Sequence, residues 1–357
     1  MATLRFRDRD AIVTREGLIF RVFGYSHPPN AYICDAEYAP GEIFTSNNPK
    51  AFRSMGKRVF YKFYDDEGWR FIKNSFPQYM IFLEVLGRDV VGVKVNDIMK
   101  VRKPDEMLKK LVNKRVHDEL LGALQKVLEF VTKHSGLSIA NFGVFGSMLH
   151  GFYHPSFSDI DLIIYGSRNM AKLRETLLEL YKDEHSPFRN EFENAKSIEG
   201  KHWRFKNYTP KEFVRHQQKK LIYALFNDEK SRRFIKTEFE PIKDWKEIEY
   251  ENFAKTKIVQ KGWAKMFARI SEDKNAPFIP SVYSIQPIKI LYGTRDAKEA
   301  IRIVSYMEEF RLQAQKDEVV YVEGNLEEAT TSKGSFHQIV LTYCPRYYEQ
   351  VLKVTSA

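Results

Sequence analysis

Gly143-Val144-Phe145-Gly146-Ser147-Met148-Leu149-His150-Gly151-Phe152-Tyr153-His154-Pro155-Ser156-Phe157-Ser158-Asp159-Ile160-Asp161-Leu162-Ile163-Ile164-Tyr165 is the stretch on which the fold turns. Its first residues read as a short apolar strand, and Ile160 to Tyr165 reads as a second. Between them Gly146-Ser147 opens a short helix. Glycine permits close backbone approach, serine offers a hydroxyl, and a helix start offers unpaired N–H groups, which together are the ingredients of a phosphate site. Asp159 and Asp161 flank Ile160 on a strand whose side chains alternate, so both carboxylates point to one face. Two parallel carboxylates repel. They are tolerated at the end of a buried strand when a divalent cation sits between them, because Mg²⁺ sites use one or two carboxylates plus substrate phosphates. The bland alternative is a pair of solvated aspartates at a strand edge.

Upstream, helical spacing begins at Pro104, with Leu108, Leu111, Val112, Val116, Leu120, Leu124, Val127, Leu128 and Val131 on one stripe, and Gly136 closes it. This predicts one helix from Pro104 to Gly136 and a domain boundary near residue 105. The residues before it read as strands at 17–23, 31–34, 58–63 and 90–95, with a helix around 68–74. Downstream, Met170 to Tyr181 and Lys211 to Phe226 are periodic as helices, while Ser231 to Pro241 alternates as a strand. After Asp244 the chain reads as six strands, Phe253–Gln260, Trp263–Ser271, Val282–Tyr292, Arg302–Gln313, Glu318–Glu327 and Phe336–Tyr343, forming a small closed or nearly closed sheet. The fold class is therefore α+β: a β-rich accessory domain at 1–104, a mixed α/β core at 105–245, and a β-rich, barrel-like domain at 246–357. No internal repeat or low-complexity linker is present.

Taken together, Gly-Ser, three residues, Gly, seven residues and Asp-Ile-Asp closely resemble the signature of the DNA polymerase β-like nucleotidyltransferase superfamily. The resemblance covers roughly residues 105–245, and the layout as a whole is similar to that of uncharacterised archaeal predicted nucleotidyltransferases. It implies that Gly146 and Ser147 contact the triphosphate of an NTP and that Asp159 and Asp161 hold Mg²⁺, or Mn²⁺. One metal would bridge triphosphate oxygens and a second would activate the attacking hydroxyl for in-line displacement at the α-phosphate, releasing pyrophosphate. Gly151 would allow the short helix to pack tightly on the sheet. A third carboxylate comes from a later strand in this superfamily. Alternation in Arg233 to Glu240 puts Lys236, Glu238 and Glu240 on one face, so Glu238 is the first candidate and Glu240 the second. Many members carry aspartate there, which leaves a glutamate's competence open.

Arg233 and Lys236, with Arg232, could neutralise triphosphate or acceptor phosphate, or could be a solvated sheet edge. His150 and His154 lie inside the motif, but Pro155 cuts any helix there, which favours packing or substrate contacts over metal ligation. Farther on, Trp263, Lys265, Phe267 and Arg269 share one strand face. Aromatics interleaved with cations suit single-stranded nucleic acid, although long charged side chains covering half-exposed rings give the same pattern.

With 357 residues, 43% apolar and 29% charged, the chain is excluded from disorder and suffices for two or three cores. Lys and Arg number 57 against 47 Asp and Glu, a balance of +10 that favours polyanionic partners. The longest apolar runs fall short of the roughly 18–20 residues of a membrane span. The start lacks a secretory pattern, and Cys34 and Cys344 are far apart, so the expectation is a cytoplasmic protein with neither a disulfide framework nor a membrane partner. The leading expectation is NMP transfer from an NTP to a hydroxyl acceptor, with RNA favoured as nucleic-acid partner. A catalytically degenerate RNA-binding protein and an enzyme that modifies a protein side chain are the alternatives. Base choice and oligomeric state are not legible.

Overall fold

A computed structural model describes residues 5–193, 204–249, 256–332, 334–342 and 346–355. Their packing forms two units, one of residues 1–176 with 226–253 and the other of residues 177–225 with 254–357. The middle part expected from the sequence, 105–245, contributes to both: residues 177–225 belong to the second unit and the rest to the first.

The first unit opens with an antiparallel sheet of β1 (Ala11–Val13), β2 (Ile19–Val22), β3 (Ala31–Pro40), β4 (Phe52–Met55), β5 (Arg58–Lys62), β6 (Met80–Leu83), β7 (Arg88–Lys94) and β8 (Lys100–Arg102), with helix α1 (Glu67–Ser75) between β5 and β6. The order is β4-β5-β3-β2-β1-β8, and β7 pairs with both β3 and β6. Alternating side chains give this sheet two apolar faces. One buries Ile12, Phe20, Val22, Cys34 and Ile72 in a core of its own. The other presents Ala11, Ile19, Tyr38 and Phe60 to Leu149 and Phe152 of the Gly-Ser segment. Phe60 stacks on Phe152 with ring centroids 4.5 Å apart, a contact worth about 0.5–1.5 kcal/mol beyond area burial. The sheet is thus seated directly on the motif.

Two helices follow where the sequence predicts one: α2 (Pro104–Val112) and α3 (Glu119–Ser135). The break has a local cause, since the Asp118 carboxylate caps α3 by accepting from the Leu121 N–H at 2.8 Å. Val116, counted in the apolar stripe, lies in the break and is exposed. Pro104 does open α2, and Gly136 ends α3 at φ +62°. The second sheet of this unit contains β9 (Phe142–Val144), β10 (Ile160–Tyr165) and β13 (Arg233–Ile242), with β10 antiparallel to β9 and parallel to β13. Ile160, Leu162, Ile163 and Ile164 are all buried, as expected of a strand covered on both faces. The short helix α4 (Gly146–His150) sits between β9 and β10, and α5 (Ser167–Lys182) follows β10.

Next come β11 (Phe188–Asn190), α6 (Pro210–Lys220) and β12 (Tyr223–Asp228). The helix predicted over 211–226 therefore stops early, at Leu221 with φ +55°. Ile222, Ala224, Phe226 and Asp228 are buried alternately, which is the period of a strand.

In the second unit, β14 (Lys257–Asn275), β15 (Ser281–Tyr292), β16 (Ala300–Ser305), β17 (Val319–Thr331) and β18 (Gly334–Leu341) pair in the ring β14-β15-β16-β18-β17, which β14 closes onto β17, and β19 (Val351–Val354) adds to β17. The expected closed sheet is present. The two strands predicted at 253–260 and 263–271 are one, bent by an irregularity at Gly262, whose φ of +98° glycine adopts without strain. Residues 253–255, Tyr343 and Cys344 lie outside the described residues. The strand predicted at 302–313 ends at Ser305, and a short 3₁₀ turn covers Glu308–Phe310. Ala264, Met266, Ala268 and Ile270 fill the barrel, as their alternation predicts. Among the described residues no helix is long and apolar enough to cross a membrane.

Candidate active site

Backbone geometry assembles the motif. The Phe145 N–H donates to the Asp161 carbonyl at 2.9 Å, which fixes the turn into α4 beside the head of β10. Gly146 follows at φ +60°, and a methyl group there would collide with the Asp161 carboxylate. Glycine is needed here both for its conformation and for the carboxylate's close approach. Ser147, half-buried in α4, makes no side-chain hydrogen bond to any described residue. Gly151 differs from expectation. Its surroundings are open, with only the Met55 sulfur 3.8 Å from an added Cβ, and its role is the left-handed cap of α4 at φ +73° rather than tight packing.

Asp161 is the electrostatic centre of the site. Burial pushes its carboxyl up to about 7, and the nearby charge of Asp159 and then Glu37 adds to this, while Lys62 and Arg9 pull it down. Asp159, just ahead of β10, is exposed. In the β10–β13 ladder Asp161 is registered with Glu238, and Ile163 with Glu240. Adjacent strands lie about 4.8 Å apart. Glu238 is thus the acid on β13 that stands beside Asp161. Glu240 is fully buried and accepts from Arg9 Nε and Nη2 at 3.1 and 2.6 Å.

The other sequence candidates occupy varied positions. Arg233 donates to the carbonyls of Ser156 and Ser158, the latter at 2.9 Å, and so braces the loop that carries Phe157. Lys236 is exposed. His154 stacks on Phe157 at 4.5 Å. Trp263, Lys265, Phe267 and Arg269 lie in the second unit. There Trp263 donates to Glu323 at 2.8 Å beneath the Arg346 guanidinium, Lys265 pairs with Glu323 at 2.9 Å, and Phe267 lies 5.6 Å from the Tyr321 ring. Arg269 is exposed and donates to the Asp317 carbonyl at 3.1 Å.

Sequence reading missed a layer of side chains from the first sheet. His150, fully buried at the end of α4, receives Arg102 Nη1 on its Nδ1 at 2.9 Å, while its Nε2 lies 3.4 Å from Glu37 Oε2. A guanidinium can only donate, so Nδ1 must be the acceptor and the proton sits on Nε2, facing Glu37. Burial likewise lowers the imidazole's affinity for a second proton. His150 is therefore a neutral bridge between the first sheet and the motif. Glu37, Lys62, Arg102 and Arg9 carry no motif, and only the fold brings them here.

Among the described residues no three His, Cys, Asp or Glu side chains form a preassembled metal site. The donor chemistry nevertheless fits a hard cation, because Asp159 and the half-buried Asp161 offer carboxylate oxygens whose mutual repulsion a divalent ion would relieve, and substrate phosphates commonly complete such sites.

Residues 124–249, which span this motif and β13, match the nucleotidyltransferase domain family. This segment is a nucleotidyltransferase domain. The chain is also similar along nearly its whole length to an uncharacterized protein, MJ1086, of Methanocaldococcus jannaschii, at 26% identity over 360 residues, covering 98% of this chain and 99% of the relative. No solved structure matches the chain. The nucleotidyltransferase match ends at residue 249, ahead of the barrel, and begins after β1–β8.

Proposed function

We propose that the protein is a Mg²⁺- or Mn²⁺-dependent nucleotidyltransferase that moves an NMP from an NTP to a hydroxyl of RNA, releasing pyrophosphate, and that it works in the cytoplasm. The observation that carries the reading is the half-buried Asp161 held against Gly146, with Asp159 ahead of it and Glu238 in register beside it. Asp159, Asp161 and Glu238 would hold the metal. When bound, a divalent ion supplies charge neutralisation at the triphosphate and lowers the pKa of the attacking hydroxyl. Gly146 leaves the backbone open to phosphate oxygens, and the Ser147 hydroxyl has its hydrogen-bonding capacity available for them. His150, held by Arg102 and Glu37, keeps α4 in place so that these groups are preorganised.

RNA as acceptor is supported by the +10 balance and by exposed aromatics beside the aspartates. Phe157 is 79% exposed two residues before Asp159, and Phe234 is 61% exposed on β13 four residues before Glu238. Large apolar rings left in solvent at the lip of a polar site suit stacking on bases. The half-buried Trp263 and Phe267 are a second candidate surface, with Lys265 already paired to an acid.

The test is incubation with each α-labelled NTP, Mg²⁺ or Mn²⁺, total RNA and cell protein, beside the Asp159→Ala/Asp161→Ala variant. Label entering RNA only with the intact protein supports the proposal. Label entering a protein band instead would make it a protein-modifying transferase. No label anywhere, with RNA bound equally by both proteins, would leave a degenerate RNA-binding module.

A further inference from the structure

We propose that the N-terminal sheet is part of the nucleotide site, with the Lys62 ammonium as the cation that binds non-bridging oxygens of the triphosphate; this rests on the nucleotidyltransferase reading above. Three charged side chains from outside the family-matched segment, Arg9, Glu37 and Lys62, act electrostatically on Asp161. Two of them are engaged. Arg9 is held by Glu240, and Glu37 faces His150. Lys62 differs: its ammonium makes no hydrogen bond or ion pair with any described residue and lies over the Tyr64 ring, 5.8 Å from its centroid.

The position of Lys62 is well determined by its strand. It ends β5 and is registered with Tyr38 of β3, whose ring lies edge-on to both His150 and Phe152 at 5.2 and 5.3 Å. Phe60, on the same face of β5, stacks on Phe152. The end of β5 is therefore fixed against the segment that carries Gly146, Ser147 and Gly151. A half-buried ammonium with no bonded counter-ion is poorly compensated, and the arrival of an anion with free oxygens supplies what it lacks. Lysine suits the task as a compact charge on a flexible stem that can follow phosphate oxygens. The alternative is that Lys62 only offsets the charge of Asp161, in which case phosphate affinity would not depend on it.

Inorganic tripolyphosphate with Mg²⁺ separates these, because it carries the phosphates without a base. Its dissociation constant is measured by calorimetry for the full chain, Lys62→Met, Lys62→Arg and Lys57→Met, the last an exposed lysine in the β4–β5 turn. Thermal melts verify that each variant is folded. Loss of one charge-assisted contact is expected to weaken binding about tenfold in Lys62→Met. Lys62→Arg should stay within about threefold of the native chain and Lys57→Met should match it. Equal affinity in the native chain and Lys62→Met overturns the proposal, and so does equal weakening by Lys57→Met, which would indicate a diffuse charge effect. Either result leaves the nucleotidyltransferase reading standing. If the native chain takes neither tripolyphosphate nor any NTP, both fall together.

Discussion

Arg9 and Glu240, 231 positions apart, form a buried two-pronged ion pair in which Nε and Nη2 of the guanidinium both reach Oε1 of the carboxylate, at 3.1 and 2.6 Å. The pair joins the start of the chain to the strand that carries Glu238. It gives Glu240 a structural partner; Arg9 itself has φ +70°, and its guanidinium lies 5.3 Å from the ring of Phe145, next to Gly146. Removing one member of such a pair leaves a buried charge and costs about 3–5 kcal/mol, whereas replacing both with apolar groups of similar volume is often near neutral. Arg9→Met is accordingly expected to destabilise the protein by that amount. Arg9→Met/Glu240→Met should recover most of the loss in denaturant unfolding. Additive losses would show that the two side chains act separately.

The pair also shows what the sequence could and could not reveal. Gly146, Ser147, Asp159 and Asp161 are close in sequence, and strand alternation alone puts the two aspartates on one face, so this much was readable. Glu238 needed only the period of one more strand. Arg9, in the turn before β1, and Glu37, Lys62 and Arg102, on strands of the first sheet, lie 59–152 positions from Asp161 and reach the site only through the long-range packing of Tyr38 and Phe60 on Phe152. Nothing local marks them. The misjudged boundaries share a cause. Val116 and Phe226 fit an apolar helical stripe by spacing, but a cap at Asp118 and a left-handed Leu221 decide where helices begin and end, and neither effect is visible in periodicity.

Asp161 predicts a conflict between stability and activity. Its carboxyl is pushed up to about 7 from an ordinary 3.8, so the folded metal-free protein binds a proton there that the unfolded chain releases. Stability from this group is therefore greatest below about pH 4 and is lost as pH rises toward 7. Asp161→Asn should stabilise the metal-free protein at pH 8 by on the order of 1–3 kcal/mol, and the advantage should shrink as pH falls below 7. Nucleotide transfer should be abolished. Thermal melts across pH 5–8 in chelator check the sign, and an advantage independent of pH would refute it.

The two motif glycines should respond differently to alanine. Both have positive φ, +60° for Gly146 and +73° for Gly151. At Gly151 the added methyl meets open space, so the expected effect is the backbone cost alone, about 1 kcal/mol, with turnover nearly unchanged. At Gly146 it meets the Asp161 carboxylate, so a similar or larger loss of stability should accompany a fall in kcat of at least about a hundredfold, because a small displacement of reacting groups is costly. Equal kcat losses at the two positions would mean that the cap, rather than the carboxylate contact, governs activity.

Phe157 and Phe234 test the acceptor. The Arg233 guanidinium holds the carbonyls of Ser156 and Ser158, on either side of Phe157, and so brings that loop against the start of β13, where Phe234 is the next residue. Both rings are exposed, so removing either should leave the melting temperature within a degree or two, since substitutions away from packed features change stability little. If bases of a single-stranded acceptor stack there, each replacement by alanine removes about 1–3 kcal/mol, and RNA affinity should fall roughly tenfold or more per ring. Tyrosine or tryptophan should restore it, because every base presents a π-face that any aromatic can meet. NTP affinity measured without acceptor should be untouched. A parallel loss of NTP affinity would place the rings over the incoming nucleotide, and unchanged RNA binding with both rings absent would direct the search for the acceptor to Trp263 and Phe267 in the second unit.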